Sequence, residues 1–206
     1  MMRVCDKEKL VWLDAIFSNV DAHYGYGSGY EEAIQVTAAT VTEEFLDRVF
    51  SGDDRQQRAR SHFLEQGGVD RSILATVDIP RVVEWCRSKS DPAVWSSLAM
   101  AIDIFVTSGD EKSTGLREKC IQFLEASPQP DLVMNAFASR ITPNGWSGSR
   151  ADIMEWNTNA LAALMDHENP DIADAARLVV ADARGWVLQE RDRERREDEA
   201  QEQTFE

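Results

Sequence analysis

The chain has 206 residues, of which 43% are hydrophobic, so it holds enough apolar material to bury a sizeable core. This composition excludes wholesale disorder. Asp and Glu number 37 against 22 Lys and Arg, which gives a formal net charge of −15. Such a charge repels phosphate backbones, so we expect no nucleic-acid contact by the isolated chain. It favours a basic or cationic protein partner, although the same charge also serves simply to keep a protein in solution.

The cysteines and the lack of long apolar runs indicate a reducing, aqueous environment. Cys5, Cys86 and Cys120 are isolated, and no C-x-x-C pair occurs, which argues against a disulfide scaffold or a zinc site. The first residues turn acidic too early for a signal peptide. No run approaches the ~18 apolar residues of a membrane span. We therefore expect a cytoplasmic protein with no membrane contact.

The N-terminal segment, residues 1–68, predicts helices separated by glycine-containing breaks. Residues 6–20 carry apolar side chains at steps of three and four, which is typical of an amphipathic helix. After a glycine-rich loop, a long helix is predicted from Tyr30 to Val49. A polar helix over residues 54–66 follows.

The glycine-rich loop Gly25–Gly29 lacks a feature that nucleotide binding needs. Tyr30 stands where the third glycine of a dinucleotide fingerprint belongs, and no strand precedes the loop. We interpret the loop as a flexible connection between helices. The alternative is a contact loop in which Tyr24 and Tyr26 are exposed and bind a partner.

From about residue 79 a helix–turn–helix pattern recurs. The turns contain Pro92, Pro130 and Pro170, which stand 38 and 40 residues apart. A proline in the first turn of a helix costs little, because that N–H has no intrahelical partner. The predicted helices are Ile79–Ser88, a second one through Val94, Leu98, Ile102 and Phe105, then Leu116–Ala126, Leu132–Arg140, Ala151–Asp166 and Ile172 onward.

This period is close to the ~40–47 residues of HEAT and armadillo units. Over about residues 79–190 the chain resembles the HEAT-like helical-repeat family of α-solenoids. The resemblance implies an all-α fold of antiparallel helix pairs stacked as a short solenoid, since each pair buries only one apolar face. We assign residues 69–189 to the repeats, although the middle unit departs from the pattern with a double-proline turn. The predicted core includes Leu98, Ile102, Phe105, Leu161, Leu164 and Trp186.

The last segment, residues 190–206, holds eight acidic residues and four arginines with almost nothing to bury. Pairs such as Asp192–Arg196 and Glu190–Arg193 support an exposed helix by ~0.2–0.5 kcal/mol each. We therefore predict a charged helix extension or tail that frays into solvent. A polar end of this kind suits a solenoid, which needs a polar outer face.

The loop Thr142–Arg150 nearly matches a nucleophile elbow, but Ser149 stands where the second glycine belongs and the loop joins two helices. Ser149 and Asp152 instead predict a capping-box-like helix start. Trp146 either plugs the repeat ridge or anchors a partner. Trp and Arg are the residue types that dominate interfaces, so Trp146 and Arg150 are candidate partner-binding residues.

Neither catalysis nor metal binding has a motif in this sequence. His23, His62 and His167 are scattered and show no spacing typical of metal ligands. We therefore predict no catalytic residues, no metal site and no cofactor.

The composition and repeats favour a non-catalytic protein–protein interaction module. The stretch Ser147–Glu155, the Asn-Pro turn and the Arg/Glu-rich end are similar to the C-terminal repeat tails of large bacterial proteins, several of them in antiviral defence systems. That resemblance implies a subunit of a larger bacterial assembly. The alternatives are a small acidic inhibitor or immunity-type protein that covers a basic enzyme site, and an enzyme with an unrecognised site.

Overall fold

A computed structural model of the chain describes residues 6–23, 31–65, 76–107 and 112–204. These residues are mainly α-helical, so the predicted all-α class is confirmed. The chain divides into two compact units, residues 1–103 and 104–206. The stacking of helix pairs into a solenoid stays a prediction.

The first unit contains six helices in its described residues. Its core is lined by large side chains that are almost completely buried, including Phe17, Phe45 and Leu98. The helices are α1 (Asp6–His23), α2 (Glu31–Thr40), α3 (Thr42–Val49), α4 (Asp54–Glu65), α5 (Ile79–Ser88) and α6 (Ala93–Ala101).

The single helix predicted from Tyr30 to Val49 is wrong, because the chain breaks between α2 and α3 at Val41, where φ is −126° and ψ is 58°. The hydroxyls of Thr40 and Thr42 donate to the carbonyls four residues earlier, at 2.6 and 2.8 Å. Hydroxyl back-bonding of this kind bends helices. The bend directs Phe45 and Val49 into the core.

A capping box starts α4. The Asp53 carboxylate accepts from the backbone N–H groups of Arg55 and Gln56, and the Gln56 side chain accepts from the N–H of Asp53 at 3.0 Å. Gly52 precedes the box with φ of +88°, a conformation that favours glycine. These local bonds fix where the polar helix begins.

The second unit begins with an antiparallel hairpin and continues with four helices in its described residues. The helix α10 packs against both α8 and α9, and β2 packs against α9. The elements are β1 (Phe105–Thr107), β2 (Ser113–Leu116), α7 (Glu118–Ala126), α8 (Pro130–Ala138), α9 (Arg150–Ala162), a 3₁₀ turn (Ala163–Asp166) and α10 (Pro170–Thr204).

The hairpin corrects two predicted helices. The helix predicted to run through Ile102 and Phe105 ends at Ala101, and Leu116 lies in β2, paired with Phe105. Ile102 and Ile104 are buried on either side of a more exposed Asp103, which is the period-two alternation of extended backbone. This alternation overrides the helical spacing of the same apolar residues.

The predicted turns place the later helix starts correctly. Pro130 and Pro170 are the first residues of α8 and α10, and Pro92 immediately precedes α6. Of the predicted core, Trp186 is wrong, because 41% of it is exposed. Its neighbour Val187 takes the core position, and consecutive helix residues point about 100° apart. The other predicted core residues, Leu98, Ile102, Phe105, Leu161 and Leu164, are buried.

Candidate functional site

Nucleophilic and metal chemistry find little support in the described part of the chain. Cys86 and Cys120 are buried, and burial raises the pKa of each thiol to about 12, so neither is a ready thiolate. Among the described residues, no group of three or more His, Cys, Asp or Glu could hold a metal ion. His167 lies in the turn before α10, where its two ring nitrogens contact Glu125 at 3.1 Å and the N–H of Asn169 at 3.1 Å.

The described helices were also compared with the requirements of a membrane span. None of them is both long enough and apolar enough to cross a bilayer.

The loop between α8 and α9 brings two of the predicted partner-binding residues together. Trp146 is 44% exposed, so it is not a fully buried plug. The guanidinium carbon of Arg150, the first residue of α9, lies 4.7 Å from the centroid of the Trp146 ring. This is a cation–π arrangement, which holds the two side chains in one geometry. The other two predicted contact residues, Tyr24 and Tyr26, lie outside the described residues.

Arg150 is held in place from its other side by α10. Its Nη1 is 3.5 Å from Oε1 of Glu190, which also accepts two hydrogen bonds from Arg193. Hydrogen bonding to Arg193 lowers the pKa of Glu190, burial opposes this effect, and the charge of Arg150 lowers the pKa further. Glu190 is therefore a fixed anion beside the Trp146–Arg150 pair.

The start of α9 is capped twice. The Ser149 hydroxyl oxygen accepts from the N–H of Asp152 at 3.1 Å, which confirms the predicted cap. The same hydroxyl donates to one carboxylate oxygen of Glu194 at 2.8 Å, and the N–H of Ala151 donates to the other at 3.1 Å. A carboxylate from α10 therefore sits at the positive end of the α9 dipole.

A third contact completes this attachment of α10 to α9. Arg191 reaches both Asp152, at 3.3 Å, and Glu155, at 2.5 Å. We call the contacts made by Glu190, Arg191 and Glu194 with α9 the polar clamp. They correct the interpretation that the charged segment has nothing to contact, because its first turn is bonded to α9.

The polar clamp was missed by sequence reasoning, which paired these charges only with one another. The Glu190–Arg193 pair is present, whereas Asp192 pairs with Arg195, at 3.1 Å, and Arg196 donates to the backbone carbonyl of Asp192. The available signal was the spacing of Glu190 and Glu194, four residues apart and so on one helix face. No local pattern names their partners some 40 residues away.

Comparison of the chain with protein-family models, curated proteins and solved structures found no match.

Proposed function

We propose that this chain is a non-catalytic protein–protein interaction module, a subunit or part of a larger bacterial assembly, with antiviral defence as one setting. The observation that carries the proposal is the half-exposed Trp146 with Arg150 stacked on its ring. Trp and Arg are enriched among the residues that contribute most to binding energy.

Preorganisation supports this role. Arg150 is in the first turn of α9, is stacked on Trp146 and is held by Glu190, so much of its rotamer freedom is already lost before a partner arrives. Binding through a side chain that is already ordered costs about 0.5–1.5 kcal/mol less than ordering it on association. The loop thus presents a fixed aromatic and cationic contact.

Charge supports a protein rather than a nucleic acid as the partner. The net charge is −15, and the arginines of the densest run are paired with acids: Arg191 with Glu155, Arg193 with Glu190 and Arg195 with Asp192. Affinity for DNA depends on cations that neutralise phosphates. Paired arginines on an acidic chain offer few of them, and a basic protein partner is the better complement.

The experiment replaces Trp146 with a photo-crosslinking amino acid in cells and identifies the attached protein by mass spectrometry. Calorimetry with that purified protein then compares the wild type with Trp146→Ala and with Val36→Ala, an exposed apolar residue of the first unit. We expect Trp146→Ala to weaken binding about tenfold or more, with an unchanged melting temperature, and Val36→Ala to bind as the wild type. Equal binding by both variants, or micromolar binding of the chain to generic duplex DNA, would contradict the proposal.

The net charge also favours a second candidate, an acidic inhibitor or immunity-type protein that covers a basic enzyme site. The same cross-linked partner distinguishes the two. An inhibitor abolishes the catalytic activity of its partner at stoichiometric concentration, whereas an assembly subunit leaves that activity intact.

A further inference from the structure

The outward face of α10 carries apolar side chains that the rest of the described chain leaves uncovered. Leu178 is 71% exposed and Leu188 is 65% exposed, although both lie on the helix that also provides Val180 and Val187 to the core. Single exposed leucines are common on protein surfaces, but these two lie on the same side of one helix. They belong to one stripe rather than to two unrelated positions.

The stripe has the spacing of a helix-docking seam. Leu178, Ala181, Gly185 and Leu188 follow one another at steps of three, four and three, so they lie within about 80° of one another around the helix. The two middle residues are small, and a Cβ built on Gly185 would meet nothing within 4 Å. The backbone of a second helix can therefore approach closely at the centre, between the two leucines. We call these four residues the α10 seam.

The charges nearest the α10 seam are acidic. Within about 60° of Leu178 around the helix, the charged residues between positions 171 and 192 are all aspartates. The arginines of the same stretch lie farther round, and two of them are engaged: Arg177 with Asp174 and Arg191 with Glu155. The rim is formed by Asp171, Asp174, Asp182 and Asp192, all exposed.

We propose that the α10 seam docks an amphipathic helix of a protein partner whose apolar stripe is flanked by Lys and Arg. This rests on the proposed role as an interaction module and names a second contact surface and the chemistry of its occupant. Lysines beside the partner's stripe meet the aspartate rim, while its apolar side chains cover Leu178 and Leu188. A second copy of this chain fits less well, since it would bring a second charge of −15 and a second aspartate rim to the same face.

The test is a display selection with the full chain as bait. The library holds helical peptides with a fixed apolar stripe and with flanking positions randomised among Lys, Glu and Gln. We expect lysine to be enriched, and the selected peptides to bind Leu178→Asp and Leu188→Asp about tenfold or more weakly. Asp182→Lys should weaken them about threefold or more through charge reversal. Val11→Asp, at an exposed apolar position of α1, is the matched control and should bind as the wild type.

The other outcomes overturn the docking face. They are enrichment of glutamate, no preference among the three residues, or equal binding by Leu178→Asp with a helical circular dichroism spectrum like that of the wild type. Sedimentation equilibrium gives a further arm, because dimerisation that Leu178→Asp abolishes would assign the α10 seam to a second copy. Trp146→Ala should leave the selected peptides bound. Failure of this selection with a cross-linked partner retained at position 146 would therefore remove the α10 seam alone, and the reverse pattern would remove the Trp146 contact alone.

Discussion

The Trp85 indole Nε1–H donates a hydrogen bond to a carboxylate oxygen of Asp47 at 2.8 Å, which joins α5 to α3. Lys89 reaches the same oxygen at 2.5 Å and lies over the Trp85 ring, 4.7 Å from its centroid. One turn away, Arg81 binds Glu43 through two hydrogen bonds. The positions 43 and 47 on α3 and 81, 85 and 89 on α5 are each four apart, so two helix faces form a ladder of polar contacts.

Removing the acceptor from this ladder should destabilise the first unit. Asp47→Ala leaves the buried indole N–H of Trp85 without its acceptor, and we expect a loss of about 1–3 kcal/mol in the free energy of unfolding. Urea denaturation followed by tryptophan fluorescence measures it. Asp14→Ala removes a more exposed ion pair with Arg48 and serves as the control, with a loss of about 0–1 kcal/mol. Equal losses would mean that the indole bond contributes no more than a surface pair.

Acid should weaken the same ladder. Hydrogen bonding to Arg81 lowers the pKa of Glu43; for Asp47, burial raises the pKa, but hydrogen bonds from Lys89 and Trp85 outweigh it, so the pKa is lowered. Each carboxyl has a lower pKa folded than unfolded. Its stabilisation is therefore complete above the ordinary values of 4.5 and 3.8 and is lost as the pH falls through the lowered values.

The comparison of wild type with Glu43→Gln isolates this effect from the titration of other acids. At pH 7 we expect the variant to be less stable by about 0.2–1 kcal/mol, because the pair is partly exposed. The difference should shrink as the pH falls below the ordinary pKa of glutamate and vanish once Glu43 is protonated. Denaturation midpoints at pH 7, 5, 4 and 3 test it, and a difference that persists at the lowest pH would refute the assignment.

Breaking the polar clamp should loosen the end of α10. Glu194→Ala removes the acceptor for the Ser149 hydroxyl and the Ala151 N–H, and loss of a helix cap costs about 0.5–2 kcal/mol. Amide hydrogen exchange should become faster at the start of α9 and beyond residue 190. Glu197→Ala, which removes an exposed pair with Arg193, should leave exchange in α9 unchanged. Equal exchange in both variants would show that Glu194 does not hold α10.

Core packing in the second unit can be tested at Leu161, which is fully buried in α9. Leu161→Ala should cost roughly 2–5 kcal/mol, the sum of lost transfer free energy and the cavity left behind. Leu178→Ala, on the exposed face of α10, should stay within about 0.5 kcal/mol of the wild type. A loss below about 0.5 kcal/mol at Leu161 in chemical denaturation would mean that the buried faces are wrongly assigned.

Local signals explain what the sequence by itself determined. The starts of α8 and α10 at Pro130 and Pro170, and the Ser149 cap of α9, follow from backbone groups within a few residues of each signal. The helical class follows from apolar periodicity, which is equally local. Charge and composition set the kind of partner to expect, although the alternatives for Trp146 stayed open.

The tertiary structure decided what depends on partners distant in sequence. The pairing of Phe105 with Leu116 replaces helical by extended backbone, because each strand supplies the hydrogen-bond partners that the other lacks. Glu194 lies 43 residues from Ala151, and no local pattern distinguishes a carboxylate that caps a remote helix from one in solvent. The half-exposure of Trp146, which makes it a candidate anchor, likewise depends on Arg150 and Glu190 being assembled beside it by the packing of α10 on α9.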